Sequence, residues 1–202
     1  MSSRLDNQVA LITGASRGIG RAIAQAYLKE GARVGLVATD AAKLQALQQS
    51  WDSPADRVMT LGVDVRDRQA CVQAVERVQA QWGGIDILVN NAGVYRAKSF
   101  LDYTDQDFQD LLDVNLFGVL HFMQACLPGM QARHRGSIVN IASTAGKWGS
   151  RNQSAYNTSK HAVVGLPAGG AVGAASPRGG LNAIGPGFVN ANMVETHKSK
   201  AP

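Results

Sequence analysis

Tyr156 and Lys160 stand four residues apart in the run Tyr156-Asn157-Thr158-Ser159-Lys160. On a helix, positions i and i+4 share one face, so the ammonium would lie beside the phenol. A free tyrosine titrates near about 10. A neighbouring cation favours the phenolate, which would let this hydroxyl exchange a proton near neutral pH. Ser143 follows an apolar segment and could hydrogen-bond a substrate oxygen. Taken alone, a Tyr/Lys pair is more often a plain helix-surface pair than a proton-transfer site.

Two further motifs change that weighting. Thr13-Gly14-Ala15-Ser16-Arg17-Gly18-Ile19-Gly20 follows a strand-like segment and opens a helix-like one. That is the context a nucleotide loop requires: glycines let the backbone approach a pyrophosphate, and the helix N-terminus offers free N–H groups and the positive end of its dipole. Asn90-Asn91-Ala92-Gly93 follows another strand-like segment. Its asparagines can bridge strand ends, and Gly93 permits close approach of a cofactor, although the same run makes a good turn.

The elements that must position these groups alternate along the chain. Strands are expected at residues 8–12, 33–38, 58–63, 85–89, 137–141 and 181–184. Helices are expected at 19–30, 41–49, 68–81, 106–130 and 155–166, with Asp40 as the N-cap of the second. Repeated βα units with apolar strands predict a doubly wound parallel sheet, Rossmann-like, in a three-layer α/β/α arrangement. Ligands of such sheets bind beyond the carboxyl ends of the strands. No linker or composition shift divides the chain, so residues 1–202 read as a single dinucleotide-binding domain.

Composition excludes several classes. Of the 202 residues, 45% are apolar and 17% charged, the balance of an ordinary globular protein. The net charge of +5 comes from scattered basic residues with no long run, which argues against a nucleic-acid surface. No apolar run approaches the roughly 18 residues of a membrane span, and no signal segment precedes the first strand. Cys71 and Cys126 lie in apolar helical settings and read as reduced thiols of a cytoplasmic protein. His121, His134, His161 and His197 have no metal-ligand spacing, so no metal is expected.

Together, in order and spacing, the motifs resemble the short-chain dehydrogenase/reductase family, including its 3-oxoacyl-acyl-carrier-protein-reductase-like members. The resemblance runs from about Val9 to Met193 and rests on TGASRGIG, Asp64 in VDV, NNAG, Asn115 in DVN, Ser143 in IAS, YNTSK and Pro186-Gly187. It implies an NAD(P)-dependent oxidoreductase that interconverts an alcohol and a ketone or aldehyde. Tyr156 would be the acid/base, Lys160 would lower its pKa and bind the nicotinamide ribose, and Ser143 would orient the reacting oxygen. Asn115 would hold a water that relays protons through Lys160. Gly14, Ser16, Arg17, Gly18, Ile19 and Gly20 would cradle the dinucleotide. Asp64 and Val65 would face the adenine, and Asn91, Ala92 and Gly93 would line the cofactor. Pro186, Gly187 and Val189 would meet the carboxamide end.

The resemblance also bears on cofactor choice. Ala38 stands where NAD-specific members usually carry Asp, and Asp40 comes one or two residues late. Arg17 resembles the basic residue that NADP-preferring members set against the 2′-phosphate, and Thr39 could donate a hydrogen bond there. NADP(H) is therefore expected over NAD(H). The partner would be a small carbonyl or alcohol, and the family suggests a homodimer or homotetramer. Tyr95, Lys98, Trp148, Phe188 and Met193 lie near loops expected at the substrate mouth, where pocket and surface roles weigh equally.

The chain departs from the family pattern in two places. Residues 167–180 read PAGGAVGAASPRGG, with five glycines and two prolines where the family continues a long helix. An interior Gly costs about 1 kcal/mol and Pro about 3, so the helix is expected to end at Leu166. Family-like spacing with this composition fits either two compensating frame shifts in the coding DNA or a naturally divergent loop. After Met193 the run ETHKSKAP does not resemble the family's further helix and last strand, and Ala191 replaces its usual Thr. The alternative reading is thus a truncated, catalytically impaired dinucleotide-binding or interaction protein.

Overall fold

The computed structural model describes residues 3–51, 54–174, 179–187 and 189. Six parallel strands form one sheet: β1 (Val9–Thr13), β2 (Arg33–Ala38), β3 (Val58–Gly62), β4 (Ile87–Asn90), β5 (Gly136–Ile141) and β6 (Gly179–Ile184). Their order is β3-β2-β1-β4-β5-β6. The sheet is Rossmann-like, as expected. Chain direction across it reverses between β1 and β4, and the crevice beyond their carboxyl ends is where such sheets take ligands.

The central strands form because both of their faces can be buried. All five residues of β1 are buried, as are all four of β4. Register follows: Ala10, Leu11 and Ile12 pair with Ile87, Leu88 and Val89 on one side and with Val34, Gly35 and Leu36 on the other. One core lies on the face carrying Leu11, Leu88, Phe122 and Ile138; a second lies on the face carrying Ile12, Leu36, Leu44 and Val89. Helices α1 (Gly18–Lys29), α2 (Ala41–Gln49), α3 (Arg68–Trp82), α4 (Asp105–Leu112), α5 (Gly118–Ala132) and α6 (Ser154–Ala174) complete the layers. Asp40 caps α2 by accepting from Lys43 N at 3.0 Å, and Asp67 caps α3 in the same way from Ala70 N.

Three features differ from the sequence expectation. The helix expected over residues 106–130 is interrupted by a π-turn at Asp113–Phe117, which joins α4 to α5. The wider turn carries Asn115 into the interior, where it is fully buried. Such turns concentrate at functional positions. Secondly, Asp105–Ala132 as a whole is long and apolar enough to cross a membrane, whereas no such run was expected. Packing accounts for its composition: Leu111, Val119, Phe122, Met123, Cys126 and Met130 are buried within the protein.

Thirdly, α6 does not stop at Leu166. It continues through Pro167, Gly169, Gly170 and Gly173 to Ala174. Its first turns are anchored by buried Ala155, Tyr156, Ser159, Lys160 and Val163, and the helix packs against α4, β6 and the turn Thr144–Gly146. Tertiary packing of this kind routinely overrides residue propensity, and extending a nucleated helix is far easier than starting one. β6 likewise begins two residues before the expected 181–184, pairing Gly136 with Gly179 through Ile141 with Ile184. The expectations for Phe188, Ala191 and Met193 lie outside the described residues.

The end of β1 is tied to the end of β4 by one hydroxyl. Thr13 Oγ1 accepts from Asn91 N at 2.9 Å and Ala92 N at 3.0 Å. Thr13→Val should leave two donors without their acceptor and destabilise the protein by about 1–3 kcal/mol for each group that stays dry. A lowered urea midpoint with unchanged slope is the expected result.

Candidate active site

The glycine loop lies between β1 and α1, beneath the residues that follow β4. Gly14 has φ +63°, a left-handed conformation, and a Cβ there would meet Ala92 Cα at 2.8 Å. A Cβ on Gly20 would come within 2.5 Å of both Gly14 O and Asn91 Nδ2. Asn91 closes the loop from the other side, donating from Nδ2 to Thr13 O at 3.0 Å and Gly14 O at 3.1 Å. Arg17 takes the N-cap position of α1 with extended backbone and no side-chain cap. The first N–H groups of a helix lack intrahelical partners, so an uncapped N-terminus behind a glycine turn fits a pyrophosphate.

The adenosine side differs in how its charges are held. Arg17 and Thr39 are exposed and Ala38 is half-buried. The Asp40 carboxylate is engaged by the α2 cap and by Lys43 Nζ at 3.0 Å, which agrees with its N-cap reading. Asp64 accepts from Arg66 N at 3.0 Å, Arg66 Nε at 2.9 Å and Arg66 Nη2 at 2.5 Å. The guanidinium holds this carboxyl below its ordinary value. Val65 is buried beside Gly118, and its carbonyl lies 3.0 Å from His121 Nδ1.

At the other end of the crevice, α6 and the end of β5 bring Ser143, Tyr156 and Lys160 together. Tyr156 is 9% exposed and Lys160 is 5% exposed. Ser143 neighbours the Tyr156 phenol, and its hydroxyl accepts from Ala145 N at 3.1 Å. Lys160 Nζ donates to the Ile141 carbonyl at 2.9 Å and stands 5.8 Å from the centre of the Tyr156 ring. Gly93 lies alongside: a Cβ there would be 3.3 Å from Asn115 Oδ1 and 3.7 Å from Lys160 Nζ. Pro186 reaches the same corner, its carbonyl accepting from Thr144 N at 3.0 Å. Gly187 follows it in the chain, and Val189 is 40% exposed.

The electrostatics correct one expectation. Proximity to Lys160 was expected to lower the phenol's pKa. Burial instead raises it, and the neighbouring Ser143 opposes the rise. The ammonium itself is directed to a backbone carbonyl, and desolvation pushes Lys160 down to about 8. Helical spacing placed the two groups on one face; removal of water from both pushes each toward its neutral form.

Asn115 was expected to hold a proton-relaying water. Its side chain is engaged with protein: Oδ1 accepts from Val94 N at 2.8 Å, and Nδ2 donates to Val94 O at 2.9 Å and to Ser159 Oγ at 3.0 Å. Ser159 Oγ in turn donates to the Tyr156 carbonyl at 2.8 Å. Sequence reasoning missed Ser159, although it shares the helix face of Tyr156 by i+3 spacing. It also missed Thr13, and the buried Asn90–Asn140 pair, where Asn90 Nδ2 donates to Asn140 Oδ1 at 2.9 Å across β4 and β5. Only strand register makes that pair visible.

With this geometry in place, comparison with known proteins is informative. Residues 8–202 match the family model described as short chain dehydrogenase. The chain is 36% identical over 200 residues to 3-oxoacyl-acyl-carrier-protein reductase of Thermotoga maritima, covering 98% of this chain and 80% of that protein. It is 37% identical over 201 residues to galactitol 2-dehydrogenase of Agrobacterium fabrum, covering 98% and 77%. Among solved structures, ElxO with NADP bound superposes with a TM-score of 0.89 at 28% identity, covering 95% of this chain and 78% of that one.

The buried lysine makes a pH prediction. An unfolded lysine titrates near about 10.4 and Lys160 in the fold at about 8. Between these values the unfolded chain binds more protons, so stability should rise with pH from about 8 to about 10.4, by up to about 1.4 kcal/mol per pH unit. Below that window the full desolvation penalty is present. Urea titrations across the window, with Lys160→Met as reference, should show this slope in the native protein and its loss in the variant.

Proposed function

The chain belongs to the short chain dehydrogenase family and is a nicotinamide-dinucleotide-dependent oxidoreductase, and from that footing we propose that it interconverts an alcohol and a ketone or aldehyde, with Tyr156 as acid/base and NADP(H) preferred over NAD(H). The observation that carries this reading is the buried phenol, with Ser143 as neighbour, 5.8 Å from a buried, partly deprotonatable lysine measured ring centre to Nζ. A phenol kept protonated by burial is ready to give its proton to a carbonyl oxygen.

The roles divide along the crevice. Gly14, Ser16, Arg17, Gly18, Ile19 and Gly20 would hold the pyrophosphate, with Asp64 and Val65 at the adenine. Asn91, Ala92, Gly93 and Lys160 would flank the nicotinamide ribose, and Pro186, Gly187 and Val189 the carboxamide. The bound dinucleotide supplies or accepts the hydride. In reduction, Ser143 orients the carbonyl oxygen and Tyr156 transfers its hydroxyl proton to it. Lys160 then returns a proton toward the phenolate and is itself recharged from water reaching the Asn115 turn. Oxidation runs the same proton in reverse. The whole chain acts as one domain on a small soluble substrate, in the cytoplasm.

The test is nicotinamide absorbance against a panel of ketones and alcohols. Tyr156→Phe should lower kcat by about 10²–10⁴-fold and leave dinucleotide affinity within a few-fold. Binding without any Tyr156-dependent turnover would identify a protein that binds the dinucleotide and no longer turns it over. The NADP preference rests on the exposed Arg17 and on the engagement of Asp40 by Lys43 and the α2 cap. Arg17→Ala should weaken NADPH about tenfold, which is about 1.4 kcal/mol, and leave NADH unchanged, as read by quenching of protein fluorescence.

A further inference from the structure

The segment after Asn90-Asn91-Ala92-Gly93 carries one aromatic side chain whose place is determined from both sides. Tyr95 packs its ring edge-on against Tyr156, with centroids 4.9 Å apart and planes at 68°. The residue before it, Val94, is held through both its N–H and its carbonyl by the Asn115 amide. The residue after it, Arg96, is ion-paired with Asp107 and, at 3.3 Å, with Asp110 on α4. Its carbonyl accepts from Tyr103 Oη at 2.9 Å. Lys98 reaches Asp107 as well, at 2.5 Å. Asp107 is itself buried in a capping box with Thr104 and is held far below the ordinary carboxylate range by these partners.

The same segment is stitched to the loop that leads into α6. Lys98 N donates to Asn152 O at 3.0 Å, and Tyr103 Oη lies 3.1 Å from the same carbonyl. Tyr95, Tyr103 and Phe108 pack with Leu111, Ala145, Ala155 and Tyr156 in a small cluster separate from the two main cores. A second edge-to-face pair, Tyr103 with Phe108 at 5.5 Å, lies within it. Edge-to-face pairs favour one mutual orientation beyond the area they bury.

We propose that Tyr95 is a positioning residue for Tyr156: its fixed ring holds the phenol in the rotamer that meets Ser143, and shuts bulk water out of one side of the reacting oxygen. This rests on the reading of Tyr156 as acid/base. Tyr156 has Ser143 from the end of β5, Lys160 from its own helix and the Tyr95 ring as neighbours. Lys160 Nζ stands 5.8 Å from the centre of its ring, and the Tyr95 ring packs on it from the loop that follows β4. A chain without that ring would let Tyr156 sample other rotamers and would admit water to its hydroxyl.

Two variants separate positioning from folding. Tyr95→Phe keeps the ring and removes only its hydroxyl; Tyr95→Ala removes both. With thermal melting and NADPH affinity measured alongside, Tyr95→Phe should hold kcat within about threefold. Tyr95→Ala should lower kcat by about tenfold or more with little change in NADPH affinity, and should move the alkaline limb of the pH–rate profile downward by about half a unit to one unit. A second readout needs no turnover. Ultraviolet titration of phenolate absorbance, with Tyr156→Phe identifying the step that belongs to Tyr156, should show that step falling to lower pH in Tyr95→Ala and staying in place in Tyr95→Phe. A natively folded Tyr95→Ala protein with unchanged phenolate titration overturns the proposal. Absence of turnover in the native protein, with the titration shift present, would overturn the catalytic reading of the site and leave the packing role of Tyr95 established.

Discussion

The Asn115 amide is enclosed completely, and a buried amide without partners costs about 1–3 kcal/mol for each group left dry. Its partners come from two separate stretches of chain, Val94 after β4 and Ser159 on α6, and it sits itself on the π-turn between α4 and α5. One amide therefore sets where the loop carrying Tyr95 lies, how deep the π-turn sits, and how α6 is rotated against both. Through Ser159 it also reaches the carbonyl of Tyr156. A regular α-helix over residues 113–117 would present a different face there, so the wider turn and the polar cluster are one structural feature.

From that cluster the two halves of the crevice take different physical characters. The glycine loop works by absence of side chains: Gly14 and Gly20 allow Asn91 to bond the loop's own carbonyls, and the start of α1 is left uncapped. The other half works by absence of water. Tyr156 and Lys160 are both buried, and each is pushed toward its neutral form. The hydrogen bond from Lys160 to the Ile141 carbonyl replaces part of the lost hydration. Pre-oriented groups in a dry site suit transfer of a single proton without reorganisation of solvent.

Much of this was legible in local pattern. The alternation of apolar segments foretold six parallel strands, and α2 begins and ends at the residues that Asp40 and the apolar spacing indicate. The placing of the glycine loop between β1 and α1, and of Tyr156 and Lys160 on one turn of α6, was likewise readable, because each depends on residue type and on neighbours within a few positions. Propensity misled at Pro167 and the glycines beyond it: α6 continues to Ala174, since a helix already anchored by buried Tyr156, Ser159 and Val163 follows its tertiary contacts.

The chain's own order of residues was sufficient to place a phenol and an ammonium on one helix turn and a glycine turn ahead of α1, because helical and strand periods are local geometry. It could not settle the protonation of that pair, which depends on how much water the surrounding elements exclude. Nor could it reveal that Asn115 faces Val94 and Ser159, that Asn90 meets Asn140 across two strands, or that Tyr95 lies against Tyr156. Those contacts join positions distant in the chain, and they exist only once the sheet's register and the packing of α4, α5 and α6 have brought them together.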